Sequence, residues 1–89
     1  MVTVRLATPL RKFSDGKPEI KVSGSTIREV IENIDRAKPG FKERVLENNE
    51  IKQFINIFHN NEDVRFKQGL DTRVEEEDVI SILPAVSGG

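Results

Sequence analysis

Residues 26–37, TIREVIENIDRA, carry the pattern that decides the fold of this chain. Thr26 and Glu29 have the spacing of a capping box, in which a hydroxyl and a carboxylate satisfy free N–H groups at the start of a helix. The apolar residues recur at steps of three and four, which places one stripe on one face: Ile27, Val30, Ile31, Ile34 and Ala37. Pro39 and Gly40 end the helix. A helix with a single apolar stripe must cover one face of one sheet, because neither element can bury its apolar surface alone.

Strands are predicted on the N-terminal side of this helix. Val2 to Ala7 alternates apolar and polar residues, and Ile20 and Val22 resume the alternation around Lys21. This pattern predicts an opening hairpin with a loose loop that contains Pro and Gly. After the helix, Phe41 to Glu47 predicts a short second turn of helix.

The second half of the chain predicts three more strands. Phe54 to Phe58 is a dense apolar run interrupted by Asn56, and the polar corner HNNED leads into a second short run, Val64 to Phe66. Val79 to Leu83 is predicted to be the last strand, closed by Pro84.

This order of elements is that of an α+β protein with the ubiquitin-like β-grasp fold, although order alone leaves other α+β folds open. Val2 to Ala7 and Val79 to Leu83 are the most apolar strands, so we expect them side by side in the middle of the sheet. The prediction is a mixed sheet of four to five strands packed on one main helix. Residues 1–84 are predicted to form the β-grasp domain, and residues 85–89 a flexible diglycine tail.

The composition argues against several classes of function. Eighty-nine residues with 36% hydrophobic content predict one small domain with a thin core. Fourteen Lys and Arg oppose fifteen Asp and Glu, so there is no basic block to bind nucleic acid. Cysteine is absent, which removes disulfides and thiolate chemistry. No signal-peptide pattern or membrane-spanning apolar run is present, and we expect a cytoplasmic protein that binds neither membranes nor nucleic acid.

The side chains form no complete catalytic or metal-binding set. His59 is the only histidine, and its position near Glu62 and Asp63 at a turn favours solvated polar surface over a base or a metal ligand. The acidic run Glu75 to Asp78 lacks the ligand spacing of a calcium loop, which again favours a solvated turn. We therefore expect no catalytic residue, no metal and no cofactor bound by this chain.

The open face of the sheet is the expected docking surface, since one helix covers only the other face. Asn56 is either a buried amide with partners or a residue that faces out through this open side. Exposed members of the large apolar set near it would be candidate partner contacts: Phe54, Phe58, Phe66 and Leu83.

Residues 82–89, ILPAVSGG, raise a different possibility. A terminal diglycine adds little to packing, because glycine has no side chain to bury and loses the most backbone freedom on ordering. An ionised α-carboxylate is a poor acyl donor, so another protein would have to activate it with ATP as an acyl-adenylate, which sulfide, a thiol or an amine could then attack. Two glycines would pass a narrow channel and leave the acyl carbon unhindered. The alternative is that Ser-Gly-Gly is a spacer or a cloning remnant.

Three segments carry a resemblance to a known family: NNEDVRF at 60–66, GLDT at 69–72 and DVISILPAVSGG at 78–89. With these segments the chain resembles the ThiS/MoaD-type sulfur carrier proteins, which have the ubiquitin-like β-grasp fold, and within them the branch that serves cysteine biosynthesis. The resemblance implies a carrier and not an enzyme. A ubiquitin-activating-like adenylyl and sulfurtransferase would consume ATP to adenylate Gly89 and convert it to a thiocarboxylate, which donates sulfur.

The same resemblance implies further partners and a site. A pyridoxal-phosphate enzyme like cysteine synthase would supply the sulfur acceptor, and a metal-dependent peptidase would release the new cysteine. Gly89 is the reactive position, Gly88 is its required neighbour, and the tail threaded into the activating enzyme consists of Pro84, Ala85, Val86 and Ser87. Two positions depart from the family pattern. Ser87 replaces a usual alanine, and Glu77 stands where glycine is common in the turn before the last strand, which puts the geometry of that turn in doubt.

Other functions stay open on the sequence. Attack of a lysine amine on the same acyl-adenylate would make the chain a ubiquitin-like modifier conjugated through Gly89. A carrier of this family could also serve thiamin or molybdopterin synthesis. The third possibility is an interaction module that uses its sheet face and has an incidental tail.

Overall fold

The computed structural model describes residues 1–85, which fold as a mixed five-stranded sheet with one main helix. The strands are β1 (Val2–Leu6), β2 (Glu19–Val22), β3 (Leu46–Glu47), β4 (Glu50–Ile51), β5 (Ile55–His59), β6 (Glu62–Asp63) and β7 (Val79–Pro84). The α-helices are α1 (Ile27–Ala37) and α2 (Phe41–Val45), and there are 3₁₀ helices at Thr8–Ser14, Val64–Phe66 and Gly69–Asp71. The predicted ubiquitin-like β-grasp architecture is confirmed.

The main sheet has the strand order β2-β1-β7-β5-β6. β1 and β7 are parallel neighbours at its centre, as predicted, with Val4 opposite Ile80 and Leu6 opposite Ile82. β2 is antiparallel to β1, and β5 is antiparallel to β7. Because β1 and β7 run in the same direction, their carboxyl ends lie at the same edge of the sheet.

Helix α1 buries its apolar stripe against this sheet. Ile27, Val30, Ile31 and Ile34 are at most 2% exposed, whereas Ala37, the fifth predicted member, is exposed. Thr26 Oγ1 accepts from Glu29 N at 3.1 Å, which confirms the N-terminal cap. Glu29 Oε1 accepts instead from Ser25 N, at 2.8 Å, so the reciprocal half of the box reaches one residue further back.

Two predicted segments are wrong in type. The segment between β1 and β2 is not a loose loop, since Thr8–Ser14 forms a 3₁₀ helix that buries Leu10 and Phe13. Val64–Phe66 is not a strand but a 3₁₀ helix. Asp63 Oδ1 accepts from Arg65 N at 2.8 Å and turns the chain away from the sheet there, so that the short strand β6 ends at Asp63.

The structure adds a small two-stranded ribbon, β3 and β4, that the sequence analysis does not predict. The predicted second helix ends at Val45, and Leu46 then pairs with Ile51. Asn48 and Asn49 both have positive φ, 53° and 63°, as a two-residue type I′ turn requires. Asn60 and Asn61 make the same kind of turn between β5 and β6, with φ of 48° and 74°.

Candidate functional site at the root of the tail

Pro84 and Ala85 form the root of the predicted tail, at the carboxyl end of β7. Ala7 N donates to Ile82 O at 3.2 Å, and the next donor from β7 toward β1 would be residue 84, which as proline has no N–H. On the other side of β7 the pairing continues, because Ala85 N donates to Phe54 O at 2.7 Å. The root is therefore held from the β5 side. The other predicted tail positions, Val86, Ser87, Gly88 and Gly89, lie outside the described residues.

Two of the four candidate anchors lie on the open face of the sheet. In the β5–β7 register Leu83 is opposite Asn56 and Phe58 is opposite Ser81, so Leu83 and Phe58 are diagonal neighbours on that face, and both are half-buried. Phe54 lies just before β5 and is 54% exposed. Phe66 is 89% exposed but belongs to a 3₁₀ helix outside the sheet, so the structure does not place all four on one face.

Asn56 faces the open side of the sheet and also has a partner. The side chain is half-buried, and its Oδ1 accepts from Arg65 Nη1 at 3.1 Å. Arg65 is a residue that the sequence analysis did not single out, although it lies within the matched segment NNEDVRF. The polar residue in this apolar strand is thus explained by a specific hydrogen bond.

A groove of about 450 Å³ lies beside the root, at the shared edge where β1 and β7 end. Its lining includes Leu83, Arg5, Arg11 and Glu19, and Arg5 Nε lies 3.5 Å from Glu19 Oε2. Arg11 Nε donates to Leu6 O at 3.1 Å. The tail root therefore leaves the domain next to a groove lined by apolar residues and by charged residues of both signs.

The prediction of solvated surface is wrong for His59. The residue is 8% exposed because it follows Ile57 on the core side of β5, opposite Ile80. Its Nε2 lies 2.7 Å from Asp78 Oδ2 and its Nδ1 lies 2.6 Å from Lys67 Nζ. Since an ammonium group can only donate, this network assigns Nδ1 as the acceptor and Nε2–H as the donor to Asp78.

Asp78 shares this environment, whereas the rest of the acidic run is exposed as predicted. The hydrogen bond from His59, together with the one from the backbone N–H of Glu75, holds the pKa of Asp78 below its usual value. The pair links the end of β5 to the start of β7 and has a structural character, since both ring nitrogens are already occupied. In residues 1–85, no three His, Asp or Glu side chains come together as metal ligands.

Glu77 resolves the doubt about the turn before β7. Its φ is 70°, in the left-handed region that favours glycine. The backbone nevertheless closes the turn normally, because Glu77 N donates to Met1 O at 3.1 Å and Asp78 N donates to Glu75 O at 3.1 Å. The turn is therefore closed by backbone hydrogen bonds, with a non-glycine residue in a conformation that costs free energy.

No helix within residues 1–85 is long and apolar enough to cross a membrane.

The chain is similar in sequence and structure to known proteins. The ThiS family model matches residues 4–89. The sulfur carrier protein CysO of Mycobacterium tuberculosis is 38% identical over 91 residues, covering 99% of this chain and 98% of that protein. A chain of the BexX/CysO complex of Amycolatopsis orientalis superposes with a TM-score of 0.94 at 38% identity, with both chains fully covered. The small archaeal modifier protein 1 of Methanosarcina acetivorans gives a TM-score of 0.84 at 33% identity, covering 99% of this chain and 95% of that one.

Proposed function

The chain belongs to the ThiS family, and from this premise we propose that it is a sulfur carrier protein whose Gly89 carboxylate is converted to a thiocarboxylate that donates sulfur for cysteine biosynthesis. One observation carries the proposal: the family match extends through residue 89. The diglycine is therefore part of the matched sequence and is better explained as a native tail than as a spacer or remnant. The 38% identity to CysO, which extends over nearly the full length of both chains, favours the cysteine branch over thiamin or molybdopterin synthesis.

The proposed chemistry takes place in partner proteins. A carboxylate oxygen of Gly89 attacks the α-phosphorus of ATP in an adenylyl and sulfurtransferase, and pyrophosphate leaves. A sulfur nucleophile then attacks the acyl carbon, AMP leaves, and the terminus becomes a thiocarboxylate. In a pyridoxal-phosphate acceptor enzyme the thiocarboxylate sulfur would add across the C=C bond of an aminoacrylate acceptor, whose α-carbon takes up a proton, so no group leaves. The acyl group would then pass from sulfur to the amine of the new cysteine, and a metal-dependent peptidase would hydrolyse this amide with water to release the product. ATP is consumed by the partner, and this chain acts as its co-substrate.

The contribution of this chain is presentation of its own terminus. Gly88 and Gly89 would enter the partner's active site, with Val86 and Ser87 threaded behind them and Pro84 and Ala85 at the root. Ordering four residues on binding costs about 1 to 2 kcal/mol each, so the domain must contribute contacts of its own. Leu83 and Phe58 on the open face, with Phe54 beside the root, are the proposed contacts, and Phe66 is a more peripheral candidate.

Mass spectrometry tests the proposal directly. The purified chain is incubated with ATP, sulfide and the activating enzyme of its own host, and the expected product has one oxygen of Gly89 replaced by sulfur. Deletion of Gly89 should abolish the product, whereas Ser87→Ala, which restores the residue usual in the family, should leave its yield unchanged. If the intact chain stays unmodified under conditions that convert a known carrier, the proposal is wrong.

A second candidate, a ubiquitin-like modifier conjugated through Gly89, is favoured by the 33% identity to a small archaeal modifier protein. The two functions share the acyl-adenylate and differ in the nucleophile. Isopeptide conjugates would survive treatment with thiol and base and would disappear when Gly89 is deleted. The interaction-module alternative makes the opposite prediction, since removal of Gly88 and Gly89 would then leave function intact.

A further inference from the structure

Arg65 makes an unusual set of contacts with the backbone that leads into β5. Its Nη2 donates to the carbonyl oxygens of Lys52 and Ile55, at 2.7 Å each, and its Nη1 donates to Asn56 Oδ1 at 3.1 Å. One guanidinium group therefore bridges two main-chain acceptors and one side-chain acceptor. Such a set needs the planar fork of arginine, because a lysine ammonium is a point donor on a flexible stem.

The segment that Arg65 holds is a closed turn. Ile55 N donates to Lys52 O at 3.1 Å, which makes residues 52–55 a four-residue turn, here called the anchor turn. Phe54 lies within it, and Phe54 O is the acceptor for Ala85 N at the tail root. The anchor turn thus contacts both Arg65 and the root.

The base of Arg65 is itself immobilised. Val64, the preceding residue, is fully buried in the core, and Asp63 Oδ1 accepts from the backbone N–H of Arg65 at 2.8 Å. A chain of direct contacts consequently runs from the core through Arg65 and the anchor turn to Ala85. Since Pro84 ends the pairing with β1, the direction of the root depends on this β5 side.

We propose that Arg65 is a positioning residue for the tail: by holding the anchor turn it orients the Phe54 carbonyl, and this carbonyl sets the direction in which the tail leaves the domain. The kinetic part of this inference rests on the proposed carrier function. Without Arg65 the root samples more directions, and the partner must order more of the chain on binding. That cost is paid in binding and not in the chemical step, so it raises KM and leaves kcat unchanged.

Two substitutions of Arg65 separate positioning from a direct charge contact with the partner. Arg65→Gln removes the charge and the fork, whereas Arg65→Lys keeps the charge and loses the fork. We expect both variants to raise the amide exchange rates of Ile55 and Ala85 by about five- to tenfold, the scale of one or two lost hydrogen bonds. Exchange in the central ladder of β1 and β7 should be unchanged. In adenylation by the activating enzyme, both should raise KM by a similar factor. The matched control is Arg36→Gln, because Arg36 is exposed on α1 and its Nη1 donates to Asn33 Oδ1 in the same helix.

Each other outcome overturns the inference. Unchanged exchange at Ala85, or equal acceleration throughout the β1–β7 ladder, would show that Arg65 does not act locally on the root. If Arg65→Gln raises the exchange rates and KM while Arg65→Lys behaves like the wild type, the effect comes from the charge of Arg65 and not from its planar fork. Faster exchange with an unchanged KM would remove the role in presentation. If the wild-type chain is not adenylated at all, the proposed function fails, and the exchange measurement still decides whether Arg65 orients the root.

Discussion

His59 Nε2 lies 2.7 Å from Asp78 Oδ2, and this contact joins the end of β5 to the residue that precedes β7. The two residues are 19 positions apart in the sequence. Lys67 Nζ closes the other side of the imidazole ring at 2.6 Å. The pair therefore fastens the end of the sheet opposite to the tail root, where β7 begins.

Asp78→Asn should destabilise the protein in a pH-dependent manner. The pKa of Asp78 is lowered in the folded state, chiefly by the hydrogen bond from His59, so the stabilisation by its carboxylate is fully present above the unfolded pKa of about 3.9. It is lost as the pH falls through the lower, folded pKa. At pH 7 we expect a loss of about 1 to 2 kcal/mol in the free energy of unfolding, since the side chain is only 19% exposed and the bond is charge-assisted.

Urea unfolding of both proteins between pH 7 and pH 3 measures this difference. Asp15→Asn is the control, because the pKa of Asp15 is also lowered, by Lys38, but at an exposed site where solvent screens the pair. Its effect should be smaller than that of Asp78→Asn at pH 7. If Asp78→Asn lowers the free energy of unfolding by the same amount at every pH, the site depends on the shape of the side chain and not on its charge.

Glu77→Gly should stabilise the protein. Glu77 has φ of 70°, and glycine removes the strain of a Cβ atom in this region while adding flexibility to the unfolded chain. The net gain in the free energy of unfolding is expected to be about 0.5 kcal/mol. Glu77→Ala removes the same charge but keeps Cβ, so it should bring no such gain. Equal stabilisation by both substitutions would instead point to relief of repulsion in the acidic run.

Gly24→Ala should destabilise the start of α1. A Cβ at Gly24 would lie 2.6 Å from Val30 Cγ2 and 3.0 Å from Val30 N, and the φ of 155° is also unfavourable for alanine. Because Val30 is fully buried, we expect a loss of about 1 to 3 kcal/mol. Gly16→Ala is the matched comparison, since Gly16 has positive φ but no atom within 4 Å of the added Cβ. Thermal unfolding measures both variants. If they lose the same free energy of unfolding, the contact with Val30 is not the cause.

Phe58→Ser should weaken binding to the activating enzyme more than Phe66→Ser. Phe58 lies on the open face diagonal to Leu83, whereas Phe66 projects from a 3₁₀ helix outside the sheet. Loss of an aromatic contact in a docked interface costs about 1 to 2 kcal/mol, or roughly tenfold in affinity. Calorimetric titration of each variant gives the ranking, and circular dichroism checks that both remain folded. A larger effect for Phe66 would move the interface to that helix.

The strongest parts of the fold follow from periodicity in the sequence. Alternation in β1, the apolar stripe of α1 and the apolar run of β7 together predict the central pairing and the covered face. The 3₁₀ helices escape this method because they are too short to show a period, and the buried contacts of Leu10 and Phe13 come from distant elements. The β3–β4 ribbon did have a local signal in Asn48 and Asn49, the same doublet that marks the turn at Asn60.

The candidate site is harder to predict from the sequence than the fold, because much of it depends on contacts between distant residues. The diglycine and Pro84 are local features, so they could be predicted. Burial of His59 depends on the register of β5 against β7, and the contact of Arg65 with Lys52 spans 13 positions. No composition or spacing rule connects such residues before the strands are paired. Long-range pairing determines what holds the tail root, whereas local sequence determines only that a tail follows it.

The parallel pairing of β1 with β7 has a consequence for biosynthesis of the protein. The first and last strands of the described residues form the central ladder, so this ladder closes only after Val79–Pro84 has been synthesised, and such non-local contacts form late and slowly. The tail root, bonded through Ala85 to the neighbouring strand, is completed in the same step. Under the proposed function, a nascent or misfolded chain would therefore offer its activating enzyme no oriented tail root. Only the folded chain would then be adenylated, so ATP would not be consumed on chains that have not folded.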